Sequence, residues 1–95
     1  MLYTLSRSPW QTDLDALLRL VRSGDDILLM QDGVVAALND SRFLSVLLAS
    51  PARVCALEND IEARGLIAQI SRNVATISYT DFVELTVKHA SQMAW

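Results

Sequence analysis

The chain has 95 residues, a formal net charge of −3 and a pI near 4.8, and 52% of its residues are hydrophobic. The acidic balance offers no general positive field to a phosphate backbone, so direct binding of nucleic acid is not expected. A domain of this size buries only about 60 to 65% of the surface that its unfolded chain exposes, so the apolar excess predicts an obligate oligomer.

Strands and helices are predicted to alternate from the beginning of the chain. The apolar run Leu2–Leu5 predicts a first strand, and Ser8 followed by Pro9 is typical of a helix N-terminus. A single apolar stripe then predicts a first helix over Trp10–Arg22, which ends at Ser23-Gly24.

The second predicted strand is the most informative segment of the sequence. Ile27–Met30 shows no polar alternation, which is typical of a strand buried on both faces in a parallel sheet. It leads directly into the tight turn Gln31-Asp32-Gly33 and a short helical piece over Val34–Leu38. A further apolar helical face covers Phe43–Leu48 and ends at Ser50-Pro51.

The alternation continues through the third predicted strand. Arg53–Leu57 is apolar after its first residue and predicts a strand. Asn59 or Asp60 is then expected to cap a short helix that closes at Gly65.

A fourth strand and a last helix complete the predicted elements. Val74–Ser78 is rich in β-branched residues and predicts the strand, and Thr80 with Asp81 is expected to open the helix. Lys88 and His89 suit the negative C-terminal end of that helix. The whole pattern predicts a single α/β domain over residues 1–95, with a mainly parallel sheet of about four to five strands and helices on both faces.

Cys55 and His89 are the residue types most often found as nucleophiles or metal ligands, but their sequence surroundings do not favour either role. Cys55 is the only thiol and lies within an apolar strand, so a buried core residue is expected rather than an exposed nucleophile beside a positive group. His89 is the only histidine, so no multi-histidine metal site can be assigned, and a cation at a helix C-terminus is expected. We predict no catalytic, cofactor-binding or metal-binding residue.

Four residues are candidates for contacts with other molecules. Asp32 follows a strand at its carboxyl end, where α/β proteins bind ligands, so it could touch a partner or a small molecule. Trp10, Met93 and Trp95 are large apolar residues near the two ends of the sequence, where they could anchor a subunit interface. No glycine-rich phosphate loop accompanies them.

The cellular location is also predicted from the sequence. The first residues lack the basic and then apolar layout of a secretion signal, and a single cysteine forms no intrachain disulfide. No apolar run approaches the roughly 20 residues that a membrane-spanning helix needs. We expect a soluble cytoplasmic protein.

Three segments of the sequence resemble the DsrH family: Met1–Leu5 with Ser8-Pro9-Trp10, then Leu28–Val34, and finally Thr86–Trp95. The resemblance covers essentially the whole chain and implies the small α/β fold of DsrE- and DsrH-like proteins. It also implies a subunit that assembles with TusC and TusD as a dimer of heterotrimers. Such a complex receives persulfide sulfur from TusA and passes it on with TusE, for synthesis of 2-thiouridine at the tRNA wobble position.

The resemblance leaves the role of the thiol to be decided. The favoured hypothesis is a noncatalytic subunit, because the strand-end cysteine expected in the related subunit TusD has no evident counterpart in this chain. The alternative is a sulfurtransferase that carries persulfide on Cys55. A third hypothesis is a free-standing small-molecule binding module that uses the turn at Asp32 and is a monomer.

Overall fold

Five parallel strands form one sheet in the computed structural model, which describes all 95 residues. The strands lie in the order β4-β3-β2-β1-β5. Their bounds are β1 Leu2–Leu5, β2 Asp26–Leu29, β3 Arg53–Leu57, β4 Ala75–Ile77 and β5 Gln92–Ala94. The predicted α/β class with a mainly parallel sheet is confirmed.

Four α-helices and three 3₁₀ segments connect the strands. The α-helices are α1 Leu14–Leu20, α2 Leu44–Ala49, α3 Glu58–Ala63 and α4 Tyr79–Lys88, and the 3₁₀ segments are Pro9–Gln11, Gln31–Ala37 and Ile67–Gln69. The ten residues of α4 make it the longest helix. None of the helices combines the length and the hydrophobicity that a membrane crossing requires.

The predicted first helix is divided into two pieces. Ser8 caps the 3₁₀ segment with Pro9 at its first position, as expected, but the chain then leaves the helical conformation at Thr12. A new helix begins after Asp13, whose carboxylate accepts a hydrogen bond from the backbone N–H of Ala16 at 3.0 Å. The capping aspartate explains the division, because an N-cap residue is itself non-helical.

Two further helix starts differ from the sequence prediction. α3 begins directly after β3, without a side-chain cap, and Asp60 accepts a hydrogen bond from the backbone N–H of Gln31 at 2.7 Å. α4 is capped by Ser78, which forms a reciprocal capping box with Asp81. The predicted end of α3 at Gly65 is confirmed, since this glycine has a φ of +66°.

The sheet separates two apolar cores of unequal size. Alternate residues of β1, β2 and β3, such as Leu5, Ile27 and Val54, pack with residues of α1, α2 and α3 in the larger core. Residues of the opposite face, such as Leu28, pack in the smaller core, to which α4 contributes Leu85. Helices therefore cover both faces, with most of the helical layer on one of them.

The strand β5 was not predicted. It pairs in parallel with β1, and the backbone N–H of Leu2 donates to the carbonyl of Ser91 at 3.1 Å. At the other end of the strand, the N–H of Trp95 donates to the carbonyl of Thr4 at 2.7 Å. Three exposed residues provide no hydrophobic alternation, so the sequence pattern carried no signal for this strand.

Candidate functional site

Cys55 is a buried thiol. Its side chain lies in the smaller core, the residue is 1% exposed, and Sγ lies 3.5 Å from the carbonyl oxygen of Ile27. Burial, together with the negative charge of Asp26, raises the pKa of the Cys55 thiol to about 11. At neutral pH the group is therefore protonated and enclosed, as expected for a core cysteine and unlike a nucleophile.

Asp32 lies at the carboxyl edge of the sheet, where it forms an ion pair with Arg64. Arg64 Nη2 lies 2.9 Å from Asp32 Oδ1, and the carboxylate side chain remains 68% exposed. An exposed ion pair of this kind contributes at most about 1 kcal/mol to stability. The pair can open for another molecule, and the contact of Asp32 with a partner or a small molecule stays a prediction.

The turn around Asp32 has a structural explanation. Gln31 adopts a φ of +50°, and its N–H donates to the carboxylate of Asp60, which ties the turn to the helix α3 that follows β3. Gly33 follows at a point where a Cβ atom would lie 2.0 Å from the carbonyl oxygen of Leu5. The glycine therefore permits the close approach of the 3₁₀ segment to β1, and it is no sign of a phosphate-binding loop.

An exposed aromatic and arginine cluster lines an apolar cleft. Trp10 is 63% exposed, its ring meets the ring of Phe43 edge-on at 5.0 Å, and the guanidinium of Arg42 lies 4.1 Å above the indole. The cleft has a volume of about 450 Å³, and Val35 and Leu38 also line it. Tryptophan and arginine are the residues that most often anchor protein interfaces, so this geometry supports the interface prediction for Trp10.

Trp95 has a structural role within the chain. It is partly buried against the larger core, and its indole N–H donates to the backbone carbonyl of Asp13 at 3.0 Å. The neighbouring Met93 is 37% exposed on the edge strand. Trp95 thus fastens β5 to the start of α1, and a contact of Met93 or Trp95 with another subunit stays a prediction.

A buried acid and histidine pair at the amino end of β2 was missed by the sequence analysis. His89 Nε2 lies 2.6 Å from Asp26 Oδ2, Lys88 Nζ lies 3.1 Å from the same oxygen, and the side chains of Asp26 and His89 are 2% and 6% exposed. Burial opposes ionisation of Asp26, but the hydrogen bonds from His89 and Lys88 outweigh it and hold the pKa of that carboxyl below its usual value.

The position of His89 agrees with the prediction, and its burial adds a contact that was not predicted. The residue follows α4 immediately, as expected, and it is buried against Asp26. The contact fastens the end of α4 to the central strand β2. No group of three or more histidine, cysteine or acidic residues is arranged to hold a metal ion.

The outer side of α4 carries a second apolar surface that sequence reasoning missed. Tyr79, Val83 and Val87 follow one another at intervals of four residues and are 61%, 44% and 81% exposed. The inner side of the same helix supplies Leu85 to the smaller core. The exposed surfaces of the chain offer apolar and aromatic contact area, and the single thiol is enclosed, so the arrangement suits binding to other proteins.

Comparison with known proteins identifies the family to which the chain is related. The family model described as DsrH like protein matches residues 7–92. A protein named Protein TusB from Cronobacter sakazakii is 82% identical over 95 residues, and Protein TusB from Shigella dysenteriae is 60% identical over 95 residues. Both alignments cover 100% of each chain.

Solved structures agree on the fold. The ychN protein of Escherichia coli superimposes with a TM-score of 0.77 at 18% identity, covering 99% of this chain and 97% of that chain. Protein Tm0979 of Thermotoga maritima gives a TM-score of 0.66 at 29% identity and covers 94% of both chains. At such identities the likeness supports the α/β architecture and carries no statement about activity.

Proposed function

The chain belongs to the DsrH family, and we propose that it is a noncatalytic subunit of a sulfur-relay complex that serves the 2-thiolation of the wobble uridine in tRNA. We propose TusC and TusD as its partners in a cytoplasmic dimer of heterotrimers, which receives sulfur from TusA and interacts with TusE. The full-length likeness to proteins named TusB supports this assignment.

The enclosure of Cys55 is the observation that carries the noncatalytic role. In persulfide transfer, an acceptor thiolate attacks the outer sulfur of the donor persulfide, the sulfur–sulfur bond breaks, and the donor leaves as a thiolate. The acceptor must therefore be ionised and accessible. Cys55 is 1% exposed and its pKa is raised to about 11, so neither condition is met by the only thiol of the chain.

The exposed surfaces support a role in assembly. The outer side of α4 and the aromatic and arginine cluster at Trp10 present large apolar side chains to solvent. In small proteins such surfaces are typical of contacts with other subunits. On this proposal the chain completes the complex, and the thiols that carry sulfur belong to its partners.

A complementation experiment tests the proposal. In cells that lack the gene, a plasmid copy of the wild-type chain or of Cys55→Ala is expected to restore tRNA 2-thiolation equally, as measured by retardation of the tRNA in mercury-containing gels. Val54→Ala is the matched control, because it removes buried side-chain volume from the adjacent residue and leaves the thiol in place. Normal thiolation in cells that lack the gene would overturn the proposed pathway.

The same experiment discriminates the alternative function. A Cys55→Ala chain that assembles normally but leaves the tRNA unthiolated would show that Cys55 carries persulfide. Native mass spectrometry of the tagged protein provides a second readout. We expect related small subunits to be recovered with it, and any additional sulfur atom to lie on a partner. A lone monomer would favour the small-molecule binding module.

A further inference from the structure

The surface around Trp10 consists of two adjoining clefts. The first has a volume of about 450 Å³ and is lined by Trp10 and Phe43 among others, and the second has a volume of about 380 Å³ and is lined by Phe43 and Val46 among others. Arg42 and Phe43 line both clefts and form the wall that the clefts share. These two clefts with their rims are called the Trp10 surface below.

The indole of Trp10 is held in place within the chain itself. The ring of Phe43 meets it edge-on, and the guanidinium of Arg42 lies over the indole and also over the ring of Phe43. Most of the tryptophan nevertheless remains exposed. A large aromatic side chain that is already fixed loses little conformational entropy when a partner covers it. Trp10 is therefore suited to anchor an interface.

The rims of both clefts carry carboxylates. Asp40 lines the first cleft, Asp13 and Asp15 line the second, and all three residues are exposed. None of the three takes part in the ion pairs of the chain. Arg42 is the only cation that lines either cleft, and it lies over the aromatic rings. An aromatic and apolar centre is thus bordered by an excess of negative charge.

We propose that the Trp10 surface binds a segment of another protein in which an apolar side chain is flanked by lysine or arginine. The apolar side chain packs against Trp10 and Phe43, and the basic side chains lie opposite Asp15 and Asp40. Opposite charges across an interface speed association and discriminate against wrong partners. This inference rests on the proposed function, since it takes the other protein to be a member of the sulfur-relay assembly.

The charges argue against a second copy of this chain as the occupant. In a twofold contact the same surface meets itself, so the carboxylates of one copy would face those of the other. Like charges in such positions oppose association. A head-to-tail contact between identical copies continues into a ring or an open filament. A different protein with a basic contact segment meets neither obstacle.

A photo-crosslinker in the complete purified assembly identifies the occupant. Val46 is exposed and lines the second cleft, and it is replaced by p-benzoylphenylalanine. After irradiation, mass spectrometry of the digested product identifies the cross-linked peptide. We expect a peptide of another protein with a lysine or arginine within a few positions of the linked residue. The same crosslinker at Val87, which is exposed on α4, is the control and should not link to that peptide.

Charge reversal tests the complementarity. The variant D15K/D40K reverses two of the carboxylates and keeps Asp13, whose carboxylate caps α1. We expect this variant to lower the yield of the cross-link from position 46 by about tenfold or more at low salt. At about 1 M salt the yields of the variant and the wild type should converge, because charges are then screened beyond about 3 Å.

The matched control is E58K/E62K. It makes the same change in net charge on α3, at two exposed residues that line neither cleft, and it should leave the yield of the cross-link unchanged. Exchange of the basic residues in the cross-linked peptide for glutamate should restore the yield with D15K/D40K. Circular dichroism of each variant verifies that the chain remains folded.

Four outcomes would overturn the inference. They are the absence of any cross-link from position 46, a cross-link to a second copy of this chain, a cross-linked peptide without basic residues, and a yield for D15K/D40K equal to that for E58K/E62K. Each of them leaves the proposed function intact as long as deletion of the gene abolishes tRNA thiolation. Normal thiolation after deletion would instead overturn the proposed function, whatever the cross-link shows.

Discussion

Gly33→Ala tests the close approach of the 3₁₀ segment Gln31–Ala37 to the backbone of β1. A Cβ atom at this position would lie 2.0 Å from the carbonyl oxygen of Leu5 and 2.8 Å from its carbonyl carbon. Both atoms belong to the backbone of β1, so no side-chain rotation relieves the contact. The oxygen of Leu5 also accepts a hydrogen bond from the N–H of Met30 at 3.0 Å, and a shift of β1 would strain that bond.

The expected cost of Gly33→Ala follows from these two effects. Forcing extra atoms into a packed site costs about 1 to 3 kcal/mol, and a weakened hydrogen bond adds about 1 kcal/mol, so we expect a loss of about 2 to 4 kcal/mol in the free energy of unfolding. The free energy of unfolding of small domains is only about 5 to 15 kcal/mol, so the variant should show a large decrease in the urea concentration at its unfolding midpoint.

The matched control is Gly24→Ala. Gly24 has a φ of +93°, and a Cβ atom there would have no atom within 4 Å, so its cost is conformational and not steric. A non-glycine residue in a left-handed conformation costs about 1 to 2 kcal/mol. Urea unfolding followed by circular dichroism gives both values. The reasoning is wrong if Gly33→Ala loses no more stability than Gly24→Ala.

The remaining predictions concern the thiol, the buried acid and the C-terminal strand. Native protein should resist iodoacetamide at Cys55 until urea unfolds it, because the thiol is enclosed and its pKa is raised to about 11; rapid native labelling would contradict this. The pKa of Asp26 is lowered in the folded state, so its contribution to stability is present above its unfolded pKa of about 3.9 and is lost as the pH falls through the lower folded value. In Asp26→Asn the free energy of unfolding should therefore fall less steeply as the pH is lowered. If urea titrations at several pH values show the same decrease for the variant and the wild type, the pair of Asp26 and His89 does not cause that decrease. Trp95→Phe keeps an aromatic ring smaller than the indole and removes the hydrogen bond to Asp13, so it should cost at least about 1 kcal/mol in urea unfolding. Trp95→Ala also removes the packing of the ring and should cost more; equal losses from the two variants would contradict a packing role for the ring.

Local patterns predicted the first four strands and their parallel arrangement. Runs such as Ile27–Met30 are apolar without alternation, which reflects burial on both faces of a parallel sheet. The same local property predicted the burial of Cys55, since its neighbours in β3 are apolar. The DsrH family was likewise identified from short segments of the sequence, and the matching family model confirmed it.

Helix boundaries were predicted less well, because they depend on competition between nearby polar residues. Ser8 and Asp13 each cap a helical segment, which divides the predicted helix Trp10–Arg22 just before its apolar stripe begins at Leu14. Asp60 was an equally good capping residue by composition, but its carboxylate accepts the backbone N–H of Gln31 in the preceding connection, between β2 and β3. Composition alone does not show which of several nearby acceptors a given N–H bonds to in the folded chain.

The features that tertiary structure decided all join residues that are distant in the chain. Asp26 and His89 are 63 positions apart, and Trp95 and Asp13 are 82 apart, so no local pattern records either contact. β5 exists because β1 supplies its hydrogen-bonding partners, and the same pairing leaves Gln92 and Ala94 with an open edge. Periodicity reports the burial of each residue relative to its immediate neighbours, which determines the elements and the fold class. The choice of partner for a buried charge or a short strand is made only when the folded chain brings those groups together.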